Sequence, residues 1–289
     1  MTGFDEVLRH PAAHQSDPDK SDLHNIFFGG IGTFDYQITK MKAPLSYLLY
    51  THVWIALGAV LLSEQTYLQL ELPMQWDRMT LLIGSATLLN YLLQRIIAVR
   101  VIKRDTLSPL THWLLRHKPL VWSLMGLSLA GVTYGLSGID WSAFWLLVVI
   151  GGISLLYDVP IGKQRLRDMG LIKIFLIGLV WASVTVWLPA FHAGLPLGSA
   201  DVWLIWAQRL LFILAITLPF DIRDILIDKA LELSTIPRLI GVEASNRLSG
   251  WLLAGALGLE VVRVFTAHTA GLIYWQSVLG LMVAYTATI

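Results

Sequence analysis

The sequence predicts an all-α membrane protein, built as a bundle of about eight transmembrane helices. Of its 289 residues, 55% are hydrophobic and only 14% are charged, and the mean hydropathy is +0.63. A soluble domain carries about 25% charged residues. The charged residues also cluster between apolar runs that are long enough to cross a bilayer. Because backbone polar groups inside a bilayer must pair with one another, these runs are expected to be membrane-spanning helices.

The chain divides into a polar leader, residues 1–43, and a transmembrane domain, residues 44–289. The leader contains the stretch HPAAHQSDPDKSD and is expected to be flexible and cytoplasmic. Apolar segments of roughly 20 residues follow it. In order they are 44–63, 78–101, 119–136, 141–157, 171–190, 202–220, 246–265 and 271–288.

Basic residues are concentrated in alternate loops, which predicts the orientation. They precede the third, fifth and seventh segments and include Lys103, Arg104, Arg116, Lys118, Lys163, Arg165, Arg167, Lys173, Arg223, Lys229, Arg238 and Arg247. The positive-inside rule places these loops and the leader in the cytoplasm, so we expect a multi-pass protein of the cell inner membrane. No basic stripe outside the loops suggests nucleic acid, and the lack of cysteine excludes disulfides and thiolate metal ligands.

Three aspartates follow the sixth segment at the spacing i, i+3, i+7: Asp221, Asp224 and Asp228. On one helix this spacing places the three carboxylates within about 60° of one face. Carboxylates crowded in this way have raised pKa values unless a cation lies among them. One interpretation is Mg²⁺, which binds carboxylates together with phosphate oxygens. The other is that Arg223, Lys229 and water neutralise the aspartates at the bilayer surface.

Residues 221–241 resemble the second acidic motif of the UbiA superfamily of intramembrane prenyltransferases. That motif reads roughly D-x-x-D-x-x-x-D, followed by Ser/Thr-x-Pro-x-x-x-Gly. The matching positions are Asp221, Asp224, Asp228, Thr235, Pro237 and Gly241. The loop 156–173 is similar to the family's loop after the fourth span, where a tyrosine and basic residues face the substrate diphosphate. Its matching positions are Tyr157, Lys163, Arg165 and Lys173. The family commonly has nine spans, so the resemblance implies a UbiA-like bundle of eight to nine.

The chain departs from the family at the first acidic motif, roughly N-D-x-x-D-x-x-x-D at the end of the second span. Asn90 remains here, but Tyr91, Gln94 and Ala98 replace the three acids. Gln94 offers only a neutral carbonyl to a ligand. Arg95 lies one helical turn beyond Tyr91, so its guanidinium could bind diphosphate in place of a lost metal ion. Alternatively, Arg95 extends to the lipid headgroups.

The resemblance implies transfer of a prenyl group from an isoprenyl diphosphate to a lipophilic acceptor, either an aromatic quinone precursor or a lipid. Asp221, Asp224 and Asp228 would hold the Mg²⁺ cofactor. The diphosphate would contact Asn90, Gln94, Arg95, Tyr157, Lys163, Arg165 and Lys173. No catalytic residue is assigned. One alternative is a protein that binds an isoprenoid or lipid diphosphate without turnover. Another is a transporter, which the sparse polar residues within the segments disfavour.

Two polar residues inside the apolar segments also have purely structural explanations. His52 is expected to be a buried neutral ring bonded to a backbone carbonyl. Asn90 is expected to bridge to a neighbouring helix if it does not touch substrate.

Overall fold

The computed structural model describes residues 43–101, 109–156, 160–161, 164–165, 170–230 and 233–266. The regular secondary structure within these ranges is helical apart from one short hairpin, β1 (Pro160–Ile161) with β2 (Gln164–Arg165). In chain order the helices are α1 (Ala43–Tyr50), α2 (Val53–Gln69), α3 (Arg78–Val101), α4 (Pro109–Arg116), α5 (Lys118–Leu136), α6 (Trp141–Leu156), α7 (Gly170–His192), α8 (Ala200–Arg223), α9 (Ile225–Ala230), α10 (Ile236–Ile240) and α11 (Val242–Thr266).

Among the described residues, four helices are long and apolar enough to cross a membrane. They are Arg78–Ile97 within α3, Lys118–Leu136, Gly170–His192 and Ala200–Arg223. These helices coincide with the predicted segments 78–101, 119–136, 171–190 and 202–220. In its described part the chain is therefore a helical bundle with four candidate spans, and the predicted total of eight to nine spans is not confirmed.

The remaining predicted segments differ from the structure for separate reasons. Segment 44–63 is broken at Thr51 and His52, and its second part continues to Gln69 as α2. Segment 141–157 is α6, whose apolar part is shorter than the four candidate spans. Segment 246–265 lies in α11, which has charged residues near both ends. Segment 271–288 and leader residues 1–42 lie outside the described residues.

Small residues allow the membrane helices to approach closely. A Cβ atom placed on Gly135 of α5 would lie 2.7 Å from the Cβ of Leu82 on α3. One on Gly178 of α7 would lie 2.9 Å from a methyl carbon of Leu210 on α8. Leu82 is fully buried in a core cluster with Ile83 and Leu188. Because lipid is as apolar as leucine, this close packing, rather than escape from water, holds the helices together.

Pro219 interrupts the hydrogen bonding of α8 two residues before Asp221. Proline has no backbone N–H, so the carbonyl of Ala215, four residues earlier, loses its helical donor. Ser249 of α11 replaces that donor, with its hydroxyl 2.9 Å from the Ala215 oxygen. Such side-chain compensation makes proline tolerable within a membrane helix. It also joins α11 to the end of α8 that precedes the aspartates.

Hydrogen bonds between helices define two ends of the bundle. Arg263, near the end of α11, donates to the backbone oxygen of Gln69 at 2.6 Å, and Arg209 of α8 donates to the Gln69 side-chain oxygen at 3.2 Å. Arg209 and Asp221 lie about 18 Å apart along α8 at 1.5 Å per residue. His52, which precedes α2, lies about 25 Å from Gln69 along that helix. We therefore distinguish an Arg209 end, which includes Gln69, from an Asp221 end, which includes His52.

Candidate functional site

An ion pair between α7 and α8 forms the centre of the candidate site. The ammonium nitrogen of Lys173 lies 2.8 Å from Oδ1 of Asp221. The Asp221 side chain is 2% exposed and that of Lys173 is 22% exposed. The other carboxylate oxygen of Asp221, Oδ2, is buried and has no hydrogen-bond partner in the described part of the chain. Lys173 thus neutralises Asp221 while leaving one of its oxygens available.

Two further buried polar residues, Asp228 and Thr235, lie in the segments that follow α8. Asp228 belongs to α9, and Thr235 immediately precedes α10. Oδ2 of Asp228 and the Thr235 hydroxyl are buried without a hydrogen-bond partner among the residues described. A threonine before a helix commonly caps it with its hydroxyl, but Thr235 makes no such bond. Buried polar atoms are rarely left unpaired, so these atoms together indicate a ligand site.

Backbone contacts hold the Thr235 segment against the start of α7. A Cβ atom on Gly170 would lie 2.4 Å from the backbone oxygen of Ser234, so only glycine fits there. Arg238 donates to the backbone oxygens of Asp228 and Leu233. Gly241 ends α10 at φ 85°, a conformation that favours glycine. These contacts explain how the motif that ends in Pro237 and Gly241 folds back onto Lys173 and Asp221.

Burial raises the pKa of Asp228 above its ordinary value, because the charged carboxylate loses contact with water. Lys173 opposes this rise, and the negative charges of Asp221 and Asp224 add to it. The Thr235 hydroxyl lies close enough to weaken the effect, although it does not reach hydrogen-bond geometry. A cation bound beside Asp228 would therefore stabilise its ionised carboxylate.

Asp224 is paired with Arg223, and the three aspartates do not lie on one unbroken helix as their spacing assumed. Helix α8 ends at Arg223, and Asp224 is the residue that caps it. Its carboxylate accepts two hydrogen bonds from Arg223, at 2.7 and 2.9 Å. The spacing i, i+3, i+7 assumed an unbroken helix, but the helix breaks at the middle aspartate. The Arg223 pairing proposed as the alternative to metal therefore applies to Asp224.

The described residues contain no group of three His, Asp or Glu side chains placed to hold a metal ion. The donor set that fits Mg²⁺ is smaller, namely Oδ2 of Asp221 and Oδ2 of Asp228. Unpartnered carboxylate oxygens are the ligands that Mg²⁺ prefers, and this ion usually completes its shell with water and phosphate oxygens. The metal role of all three aspartates stays a prediction.

The residues at the first-motif positions form contacts of their own at the Asp221 end. Asn90 donates from its side-chain nitrogen to the hydroxyl of Ser154 on α6 at 3.2 Å, which is the helix-bridging role anticipated for it. Gln94 is partly buried. Arg95 is exposed and donates from Nε to Nε2 of His52 at 2.9 Å. His52 is therefore buried as expected, but its partner is an arginine side chain instead of a backbone carbonyl.

The loop residues assigned to diphosphate are described only in part. Tyr157 and Lys163 lie outside the described residues. Arg165 is described through its backbone alone, in β2, where it pairs with Pro160. Of the loop positions matched to the family, Lys173 is the one whose side chain the structure describes, and it contacts Asp221. The roles of the other three remain predictions.

Sequence reasoning missed a layer of buried charged residues at the Arg209 end. Arg209 is 1% exposed and donates to the backbone oxygen of Leu62 at 2.8 Å. Glu260 pairs with Arg263 at 2.7 Å, and Gln69 donates to Glu260 at 3.0 Å. Further contacts of Arg209 in this layer are with Thr66, Gln69 and Thr185. Buried charged residues therefore lie at the Arg209 end of the bundle as well as at the Asp221 end.

The local sequence held some signals for this layer. Arg209 lies inside a predicted span, and Glu260 and Arg263 are three residues apart in α11. A charged residue within a membrane helix faces a partner in the bundle by default. Thr185 lies in the π-helical turn Ser183–Trp187 of α7, and its backbone oxygen accepts a 2.7 Å hydrogen bond from Thr66. Gln69 contacts Arg209, Glu260 and Arg263, and no spacing in the sequence predicts these contacts.

Comparisons with known proteins identify no relative: no family model, no curated protein and no solved structure matches the chain.

Proposed function

We propose that this chain transfers a prenyl group from an isoprenyl diphosphate to a lipophilic acceptor, an aromatic quinone precursor or a lipid, in a Mg²⁺-dependent reaction. The observation that supports this most is the buried group formed by Asp221, Asp228 and Lys173. Two of its carboxylate oxygens have no hydrogen-bond partner within the described ranges, and it lies at the end of apolar helices. A long apolar tail suits the helices, and a charged diphosphate head with its metal ion suits the group at their end.

In this proposal each described residue has a defined task. Asp221 and Asp228 hold Mg²⁺ through their unpartnered oxygens. When bound, Mg²⁺ neutralises the phosphate oxygens and stabilises the diphosphate as it leaves. Lys173 pairs with Asp221 and adds positive charge for the same phosphate oxygens. The allylic carbon–oxygen bond breaks, the bond to the acceptor forms, and the acceptor loses a proton. The apolar helices exclude water that would otherwise capture the allylic centre.

Binding of an isoprenoid or lipid diphosphate without turnover is the second candidate. Two observations favour it. Arg223 engages Asp224, so one expected ligand is already neutralised. Tyr91 and Gln94 also replace acids in the first motif, so the chain lacks a second set of carboxylates there. With one Mg²⁺ site in place of two, a diphosphate would bind, but its departure would be less well stabilised.

Turnover separates the two candidates. Full-length protein in liposomes would receive farnesyl diphosphate, Mg²⁺ and a hydroxylated benzoate or a membrane lipid extract as acceptor. Release of diphosphate with formation of a prenylated product supports the enzyme. We expect Asp221→Asn to lower the rate at least about a hundredfold. The matched control is Asp201→Asn, an exposed acid in the first turn of the same helix. Binding without release would favour the second candidate, and neither binding nor release would contradict both.

A further inference from the structure

A long groove runs along α3, between α2 and α5. Its volume is about 980 Å³, at the upper end of the range for ligand sites. Helix α3 forms the floor with residues at the spacing i, i+3, i+4, i+7, namely Leu81, Gly84, Ser85 and Leu88. Helices α2 and α5 form the walls with residues at the same spacing, beginning at Val53 and at Leu127. Each of the three helices therefore presents one face to the same space.

The groove lies on the side of α3 that faces away from the core of the bundle. Met79, Leu82 and Ile83 of α3 are buried in a core cluster with Leu188 of α7. Leu81 lies about 100° from Leu82 around the helix, because adjacent residues are separated by that angle. It is 44% exposed. In a bilayer the groove therefore opens toward lipid.

The length of the groove matches one leaflet of a membrane. From Arg78 to Leu88 it extends about 15 Å along α3, at 1.5 Å per residue. The hydrocarbon core of a bilayer is about 30 Å thick, so this length is half of it. Trp76, at the Arg78 end of the groove, is 66% exposed, which is typical of a tryptophan at the membrane–water interface. The groove therefore has the depth that the acyl chains of one lipid layer reach.

Arg78 gives this end of the groove a positive charge. Its guanidinium carbon lies 4.9 Å from the centroid of the Tyr134 ring, on α5. The side chain also packs over Gly138, where a Cβ atom would lie 2.8 Å from its Nη1. Arg78 is exposed, and its side chain forms no ion pair or hydrogen bond with any residue that the structure describes. Stacking on a ring uses the face of the guanidinium, so the N–H groups at its edge remain donors for an anion.

The neighbouring acid, Asp77, is engaged by other groups. Its Oδ1 accepts hydrogen bonds from the backbone N–H groups of Met79 and Thr80, at 3.0 and 3.1 Å. Its Oδ2 lies 2.7 Å from Nε2 of His192. Asp77 thus caps the start of α3 and holds the end of α7, and it does not pair with Arg78. The charge at this end of the groove is therefore complementary to an anionic headgroup.

We propose that this groove binds an anionic phospholipid, with the phosphate at Arg78 and an acyl chain along α3. His192 ends α7, whose first turn contains Lys173, so this site lies at the Arg209 end of the bundle. It is separate from the Asp221 end and does not depend on the proposed prenyl transfer. The Ser128 hydroxyl is buried in the wall of the groove without a hydrogen-bond partner in the described ranges. An ester oxygen of the lipid would supply the acceptor that this hydroxyl lacks.

The test is equilibrium binding of two lipids with identical chains, dioleoyl phosphatidylglycerol and dioleoyl phosphatidylcholine, to purified full-length protein in detergent. We expect the parent to bind the anionic lipid about fivefold more tightly, which is the effect of one arginine beside an anionic headgroup. Arg78→Gln should bind the two lipids equally. The matched control is Lys118→Gln, an exposed cation at the other end of α5, which should keep the preference. Equal affinities in the parent, or a preference that survives Arg78→Gln, would overturn the proposal.

Ala130→Phe tests the groove itself. Ala130 lines the groove from α5 and is exposed, so a phenyl ring there would occupy the space of the acyl chain without disturbing the core. We expect both lipids to bind at least about threefold more weakly, with the preference between them unchanged, because chain contacts are lost. Thr133→Phe, at an exposed position of α5 outside the groove, should bind like the parent. Equal effects of the two variants would overturn the proposal. A parental dimer that Ala130→Phe converts to monomer would also overturn it, since a second copy would then fill the groove.

Discussion

Lys173 and Asp221 form an ion pair of 2.8 Å between two candidate membrane-spanning helices, and one buried oxygen of the aspartate has no partner among the described residues. The pair therefore bears both on the stability of the fold and on ligand binding. Removing either charge leaves the other buried alone, whereas removing both leaves a neutral contact. Stability and ligand binding can be separated on this basis.

Lys173→Met should destabilise the protein by about 3–5 kcal/mol, because Asp221 would remain buried and charged. Adding Asp221→Asn should restore most of that loss without restoring Mg²⁺-dependent binding of diphosphate. Thermal unfolding in detergent measures the first effect and equilibrium binding the second. A double variant that binds diphosphate like the parent would contradict the assignment of Asp221.

Asp228→Asn should stabilise the protein at neutral pH while abolishing its response to Mg²⁺. The pKa of Asp228 is raised in the folded state, so folding favours the protonated form. Its stabilising contribution is present below the ordinary pKa of aspartate and is lost as pH rises through the raised pKa. Asparagine does not ionise, so the variant does not lose this stability as pH rises. Unfolding temperatures between pH 4 and pH 8 would check the slope, which should be smaller in the variant.

Mg²⁺ provides a second readout for Asp228. Added Mg²⁺ should raise the unfolding temperature of the parent, because a ligand of the folded state stabilises it. It should have no such effect on Asp228→Asn, and Asp224→Asn should respond like the parent because Arg223 already neutralises Asp224. A response that depends on Asp224 and not on Asp228 would favour the original three-aspartate site.

The layer at the Arg209 end should matter for stability alone. Glu260→Gln leaves Arg263 buried without its carboxylate and should cost about 3–5 kcal/mol. Diphosphate affinity should stay within about twofold, since Arg209 and Asp221 lie about 18 Å apart along α8. Unfolding and binding measured on the same preparation would test both statements. Lost affinity in a folded variant would show that the two ends are coupled.

Ser249→Ala should destabilise α8 by about 1–3 kcal/mol, because the Ala215 oxygen would lose the donor that replaces the missing N–H of Pro219. Pro219→Ala restores a backbone N–H at the correct position, so the same serine change should cost little in that background. A double-mutant cycle on unfolding free energies gives the coupling. Additive effects would mean that Ser249 acts elsewhere.

The sequence predicted those helices whose ends coincide with charged or proline residues. Helix α3 has the predicted bounds, 78–101, because Arg78 begins it after a polar loop. Helix α5 begins with Lys118 and Pro119, a proline position that favours a first turn. The break at His52 was not predictable, because apolar residues continue through it. A left-handed histidine is fixed by its contact with Arg95, a residue 43 positions away.

The candidate site was predictable in its residues and not in its geometry. Asp221, Asp228, Lys173 and Thr235 were all named from motif positions, and the structure brings them together. Helix α8 ends next to Asp224, whose side chain bonds to Arg223, and spacing alone specifies neither feature. The charged layer of Arg209, Glu260 and Arg263 was missed because its members come from distant segments, and its bridge through Gln69 exists only in the folded bundle.

The most direct test of the central claim is the Mg²⁺ dependence of farnesyl diphosphate binding by the parent, Asp221→Asn and Asp201→Asn. We expect Mg²⁺ to tighten binding to the parent and to Asp201→Asn at least about tenfold, and to leave Asp221→Asn unaffected. Equal Mg²⁺-dependent tightening in all three proteins would contradict a metal–diphosphate site at Asp221.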